Sequence, residues 1–85
     1  MPKVQVYTLN PCPYCLRAKS LLSQRGVPFE EIEVSRDDDD MRDKLYQRSK
    51  MKTFPQIFHG DKLIGGYDQL SALDQASGGL DALKQ

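Results

Sequence analysis

The chain has 85 residues, with 12 basic and 12 acidic side chains and a formal net charge of zero. That length predicts a single domain spanning residues 1–85 and a modest core, because small domains bury a smaller fraction of their surface. The balanced charge argues against nucleic-acid binding, which calls for a basic excess, and no stretch approaches the roughly 20 apolar residues that span a bilayer. Met1-Pro2-Lys3-Val4 lacks the apolar run of a signal peptide, so a cytoplasmic protein is expected. In a reducing cytosol its two cysteines are more naturally catalytic or metal-binding than structural.

In chain order, Val4, Val6 and Leu9 alternate loosely with Gln5 and Tyr7, which predicts a first strand at about 3–8. Asn10-Pro11 breaks it and begins a turn. A helix follows over 16–25, with Pro13 in its first turn, where a missing N–H leaves no bond unmade. Ala18, Leu21, Leu22 and Arg25 fall on one face of it, and Gly26 and Pro28 end it. Residues 29–34, with Phe29, Ile32 and Val34 among glutamates, read as a second strand. Four aspartates at 37–40 open a second helix, capped by Ser35 or Asp37, with acids that suit the helix dipole. A calcium site there is disfavoured because calcium loops space their ligands around a glycine. Met41, Leu45 and Tyr46 give this helix a thin apolar face up to about Ser49. Ile57 and Phe58 form a third strand opened by Pro55, and His59-Gly60-Asp61-Lys62 is a tight turn with His59 exposed. Leu63-Ile64 is a short fourth strand. After Gly65-Gly66 a third helix runs over 67–77, with Leu70, Leu73 and Ala76 facing inward, and residues 80–83 add a last turn. The order β-α-β-α-β-β-α predicts an α/β fold: a right-handed βαβ unit, an antiparallel hairpin and a mixed four-stranded sheet flanked by helices.

The stretch that carries chemistry is Cys12-Pro13-Tyr14-Cys15. A Cys-x-x-Cys at a strand-to-helix junction is a redox motif with a mechanism. The first sulfur would lie at a helix N-terminus, where unpaired N–H groups and the dipole favour a thiolate. The second lies about one turn on, within reach of a disulfide. A loop so short stabilises little, so the pair is better placed to react than to staple. Zinc would need four ligands, and the other candidate, His59, sits in a predicted turn.

Joined to Thr53-Phe54-Pro55, Gly65-Gly66-Tyr67-Asp68 and the order of elements, this motif resembles the glutaredoxins of the small bacterial dithiol type, over essentially the whole chain. The resemblance implies the thioredoxin fold in its minimal form. It also implies glutathione-dependent thiol–disulfide oxidoreduction of protein disulfides and protein–glutathione mixed disulfides, with glutathione as co-substrate, no metal, and a monomer. By the same resemblance Cys12 is the nucleophile and Cys15 the resolving thiol. Tyr14 would flank bound glutathione, Thr53 and Phe54 would offer it backbone groups, and Pro55 would be held cis beside the sulfurs. Gly65, Gly66, Tyr67 and Asp68 would line the γ-glutamyl end, with Arg42 or Lys52 near a carboxylate. Ribonucleotide reductase, other reductases and glutathionylated proteins all remain open as substrates. Two positions depart from the pattern: Leu9 stands where many relatives have a lysine, and Gln69 where they often have an aspartate.

Glutathione carries two carboxylates and one amine, so its recognition asks for cations at one end and N–H donors at the other. Arg42 and Lys52 supply the first, and the N-terminus of the helix after Gly66 the second. Gly65 and Gly66 permit close backbone approach. Asp68 serves equally well as an N-cap, while Tyr7, Tyr46 and Phe58 read as packing residues. Two other functions compete: an electron donor reduced by thioredoxin reductase, and an iron–sulfur cluster carrier, against which Pro13 counts.

Overall fold

A computed structural model describes residues 3–9 and 12–84, so the turn expected at Asn10-Pro11 lies outside the described residues. The elements are β1 (Val4–Thr8), α1 (Pro13–Gln24), β2 (Phe29–Glu33), α2 (Asp39–Ser49), β3 (Gln56–His59), β4 (Lys62–Gly65), α3 (Tyr67–Gln75) and a 3-10 turn, Asp81–Lys84. The four strands form one sheet in the order β2-β1-β3-β4. β1 runs parallel to β2, with Val4 opposite Phe29, and antiparallel to β3, with Val4 opposite His59. β3 and β4 close an antiparallel hairpin. The predicted βαβ unit and hairpin therefore share one mixed sheet.

Strand alternation sends successive side chains to opposite faces, and it divides the core in two. Val4, Val6 and Ile57 pack with Ala18, Leu22, Leu70, Leu80 and Leu83. Tyr7 and Phe58 pack on the other face with Val34 and Leu45. Helices α1 and α3 thus cover one face and α2 the other. Among the described residues no helix is long and apolar enough to cross a membrane.

Helix α1 begins at Pro13, three residues before the start read from periodicity, because Cys12 supplies its cap. Cys15, Ala18 and Leu22 face the core, while Arg25 leaves it to hold Asp74 of α3 through Nε at 2.8 Å and Nη2 at 3.1 Å. The Arg25 hydrogen bond holds the Asp74 carboxyl below its usual range. A carboxyl depressed in the folded state stabilises above its unfolded pKa and loses that contribution as pH falls through its folded pKa. Asp74→Asn should therefore melt below the unaltered protein at pH 7, and thermal scans should show the gap closing below about pH 4. A gap independent of pH would remove the pair from the account.

Four local expectations are corrected. The N-cap of α2 is Asp38, which accepts the Met41 N–H at 3.1 Å, rather than Ser35 or Asp37. Ser35 instead accepts from the Asp37 N–H in the preceding turn. Helix α3 stops at Gln75, so Ala76 is exposed rather than inward; Gly78 and Gly79, both at positive φ, turn the chain away. His59 is half-buried at the end of β3 opposite Lys62, which leaves Gly60-Asp61 as the turn.

Candidate active site

The loop after β1 delivers Cys12 in an extended conformation (φ −150°, ψ 97°) immediately before α1. Its Sγ accepts the Cys15 N–H at 3.1 Å and stands 3.7 Å from the Phe54 carbonyl oxygen. First-turn N–H groups have no intrahelical acceptor, and Pro13 brings none, so the sulfur takes the next that points its way. Cys12 and Cys15 are joined as a disulfide, with Cα atoms 5.2 Å apart. Cys12 is half-buried, whereas Cys15 is only 2% exposed. The Phe54–Pro55 peptide bond is cis, and Pro55 is buried.

Two adjoining grooves lie on one side of the disulfide. Tyr14, Thr53, Phe54, Pro55, Gly66, Tyr67 and Asp68 line the first, of about 380 Å³. Arg42 and Lys52 line the second, of about 260 Å³, which shares Met51 and Phe54 with the first. The predicted residues are thus split between two grooves that meet across Met51 and Phe54. Over the first, the Tyr14 ring lies 6.1 Å from that of Tyr67, and the Arg17 Cζ stands 5.2 Å from the Tyr14 centroid. In the second, Arg42 Nη1 donates to the Arg36 carbonyl at 3.0 Å, and Lys52 Nζ lies 5.9 Å from the Tyr46 ring.

Of the two glycines at the junction of β4 and α3, Gly65 has a steric cause. Gly65 has φ +125°, and a Cβ there would stand 2.8 Å from Gln69 Cγ. A Cβ on Gly66 would come within 3.4 Å of the Pro55 carbonyl oxygen. Gly66, and not Asp68, is the N-cap of α3; Asp68 sits exposed in the first turn, where its charge suits the dipole. The expected row of free N–H groups is also shorter by one, because Gln69 Oε1 accepts from Gly66 N–H at 2.9 Å. The following N–H groups, of Tyr67 and Asp68, have no intrahelical acceptor.

Sequence reasoning missed four residues here. Gln69 had a signal, its place three residues after the cap, where Gln or Glu reaches back to the cap N–H. Tyr46 was assigned to packing but borders the groove of Arg42 and Lys52. Met51 had no signal. Gln56 is 1% exposed, and its Nε2 donates to the Met51 carbonyl at 3.1 Å and the Thr53 carbonyl at 3.0 Å, which ties down the segment that walls both grooves. Leu9, at the departing position, packs against the core cluster of Tyr7 and Phe58.

Burial and backbone contact thus distinguish the two sulfurs, Cys12 half-buried and Cys15 enclosed. A Cys-x-x-Cys pair at the start of the helix of a βαβ unit is the redox arrangement of the thioredoxin fold, and with it of thiol–disulfide oxidoreductases. The sequence model described as glutaredoxin matches residues 4–64. Glutaredoxin 3 of Escherichia coli strain K12 is 48% identical over 83 residues, covering 98% of each chain. The glutaredoxin of Pseudomonas aeruginosa is 46% identical over 83 residues, covering 98% of this chain and 96% of the relative. Among solved structures, the glutaredoxin of Brucella melitensis superposes with a TM-score of 0.81 at 45% identity, over 99% of this chain and 90% of that one. A buckwheat glutaredoxin in complex with glutathione gives a TM-score of 0.84 at 31% identity, over 96% of this chain and 76% of that one. The chain belongs to the glutaredoxin family and is a thiol–disulfide oxidoreductase.

Proposed function

We propose that the protein reduces polypeptide disulfides and protein–glutathione mixed disulfides, with Cys12 as nucleophile, Cys15 as resolving thiol and glutathione as the reductant. The observation that carries this is the unequal environment of the two sulfurs: Cys12 caps α1 and is partly open, and Cys15 is buried one turn further on. In the reduced state the N–H that reaches the Cys12 sulfur and the helix dipole behind it both favour a thiolate.

On a glutathionylated substrate, the Cys12 thiolate attacks the glutathione sulfur. A Cys12–glutathione bond forms, the old disulfide breaks, and the substrate thiolate leaves and takes a proton from water. A second glutathione thiolate then attacks the bound glutathione sulfur, releasing oxidised glutathione and regenerating Cys12. On a polypeptide disulfide, Cys12 attacks one sulfur, and the Cys15 thiolate displaces the second product thiol from Cys12. The product is the Cys12–Cys15 disulfide, the state this structure holds. Two glutathiones then return the pair to dithiol.

Glutathione lies in the two connected grooves in this reading. Thr53 and Phe54 offer backbone groups to its centre, with Pro55 below and Tyr14 alongside. The first-turn N–H groups of Tyr67 and Asp68 take the γ-glutamyl carboxylate, with the Asp68 side chain near the amine. Gly66 leaves room for this approach, and Arg42 and Lys52 meet the glycyl carboxylate. A coupled assay with glutathione, glutathione reductase and a small disulfide tests the reading, run beside one with thioredoxin reductase. Turnover is expected in the first; turnover confined to the second would replace glutathione as the reductant.

A further inference from the structure

The mechanism above uses the grooves on one side of the disulfide. On the other side lies a groove of about 470 Å³, bordered by both Cys12 and Cys15, between α1 and the end of β2. Among the described residues two large apolar side chains are exposed, Tyr14 at 53% and Leu16 at 64%. They flank the disulfide, one on each side. A lone exposed leucine is ordinary on a protein surface. Its position on the wall of a groove that contains the reacting sulfurs gives it meaning.

Opposite α1, Glu31 and Glu33 stand two residues apart on one face of β2 and both line this groove. Glu31 is engaged: its Oε2 accepts from Lys19 Nζ at 2.9 Å and from Thr8 Oγ1 at 3.0 Å. The Lys19 bond holds the Glu31 carboxyl below its usual range, so these two charges cancel. Glu33 is exposed and has no ion pair or side-chain hydrogen bond among the described residues. The groove therefore carries one uncompensated negative charge. Beyond Glu33 the surface continues past Ser35, Arg36 and Asp37.

We propose that this groove docks the polypeptide of a disulfide substrate, and that Leu16 and Glu33 favour substrates with a basic residue beside the reacting cysteine. The inference rests on Cys12 being the nucleophile. A glutathionylated protein brings two chains to that sulfur, a tripeptide with two carboxylates and a polypeptide. The grooves with Arg42, Lys52 and the α3 N-terminus suit the tripeptide. The groove with Glu33 disfavours it and is left for the polypeptide. β2 pairs only with β1, so an extended segment meets unpaired backbone groups along its outer edge.

The test uses synthetic peptides with one glutathionylated cysteine flanked by lysines, glutamines or glutamates, with bis(2-hydroxyethyl) disulfide plus glutathione as the small substrate. The lysine peptide is expected to exceed the glutamate peptide in kcat/KM on the order of fivefold at low salt, as for an exposed charge pair, and to lose that lead in about 1 M salt. Glu33→Gln should erase the preference and Glu33→Lys reverse it, each variant's rates being referred to its own rate on the glutamine peptide. Equal kcat/KM for the lysine and glutamate peptides, or a preference that survives in Glu33→Lys, overturns the proposal. If the unaltered protein fails on the small disulfide, the glutathione reading itself is what falls.

Discussion

Cys12→Ser is expected to abolish turnover of every disulfide substrate, while Cys15→Ser retains removal of glutathione from mixed disulfides and loses reduction of polypeptide disulfides. The first loss should be on the order of 10³-fold or more, because a serine hydroxyl is not ionised near neutral pH and the rest of the site cannot substitute for the nucleophile. In the proposed mechanism, position decides which sulfur attacks. Cys12 is the half-buried one, its Sγ receives the Cys15 N–H, and it sits at the positive end of α1. Cys15 is 2% exposed and one turn inside the helix, so an incoming disulfide cannot align with it, yet its sulfur is within bonding reach of Cys12. The mixed-disulfide route never calls on Cys15, because a second glutathione does the displacement. Initial rates on a glutathionylated peptide and on a peptide with an internal disulfide separate the two routes. Equal losses in the two variants on the glutathionylated peptide would contradict the division of labour.

The largest effect on stability is expected from Phe58→Ala, about 3–5 kcal/mol, the usual range for emptying a buried phenylalanine site. Phe58 is 1% exposed at the centre of the sheet. Its ring meets that of Tyr7 edge-on, with centroids 5.6 Å apart and an interplanar angle of 82°. Arg48 covers it with Cζ 4.1 Å from the ring centroid, and Arg48 Nη1 also donates to Tyr7 Oη at 3.3 Å. Removing the ring therefore leaves a cavity and takes a partner from both Tyr7 and Arg48. Against a typical total of 5–15 kcal/mol the loss is large, and the melting midpoint should fall by about 12 °C or more. Phe58→Leu keeps much of the volume and should cost clearly less. Urea or thermal melts of the oxidised proteins measure both, and an alanine variant that melts with the unaltered protein would contradict the packing account. β3 follows directly on Pro55, so loosening Phe58 should also loosen the wall of the two grooves that meet across Met51 and Phe54.

Both expectations depend on features that differ in how far the chain by itself reveals them. Motifs and periodicities are local, and they were legible. Val4 and Val6 alternate as strand residues do, Ala18 and Leu22 recur at helical spacing, and Gly and Pro mark the breaks between, so the order of elements and the mixed sheet followed from local signals. Cys12-Pro13-Tyr14-Cys15 likewise announced a redox pair, because its spacing and its place before a helix are properties of adjacent residues. Element ends were less legible. Asp38 rather than its neighbours caps α2, and α3 ends before Ala76, because a cap is chosen by one hydrogen bond among several side chains equally able to make it.

Only the tertiary structure decided what lies between distant segments. Arg25 meets Asp74, 49 residues away, because α1 and α3 share one face of the sheet. The Phe54 carbonyl oxygen comes within 3.7 Å of the Cys12 sulfur, 42 residues away. The groove of Leu16 and Glu33 joins α1 to β2 and belongs to neither alone. By itself the sequence determined the cysteine pair and the order of elements around it, since those depend on short-range spacing. The packing of sheet and helices decided which sulfur is exposed and which charges face it, since burial and field are sums over residues that only folding brings together.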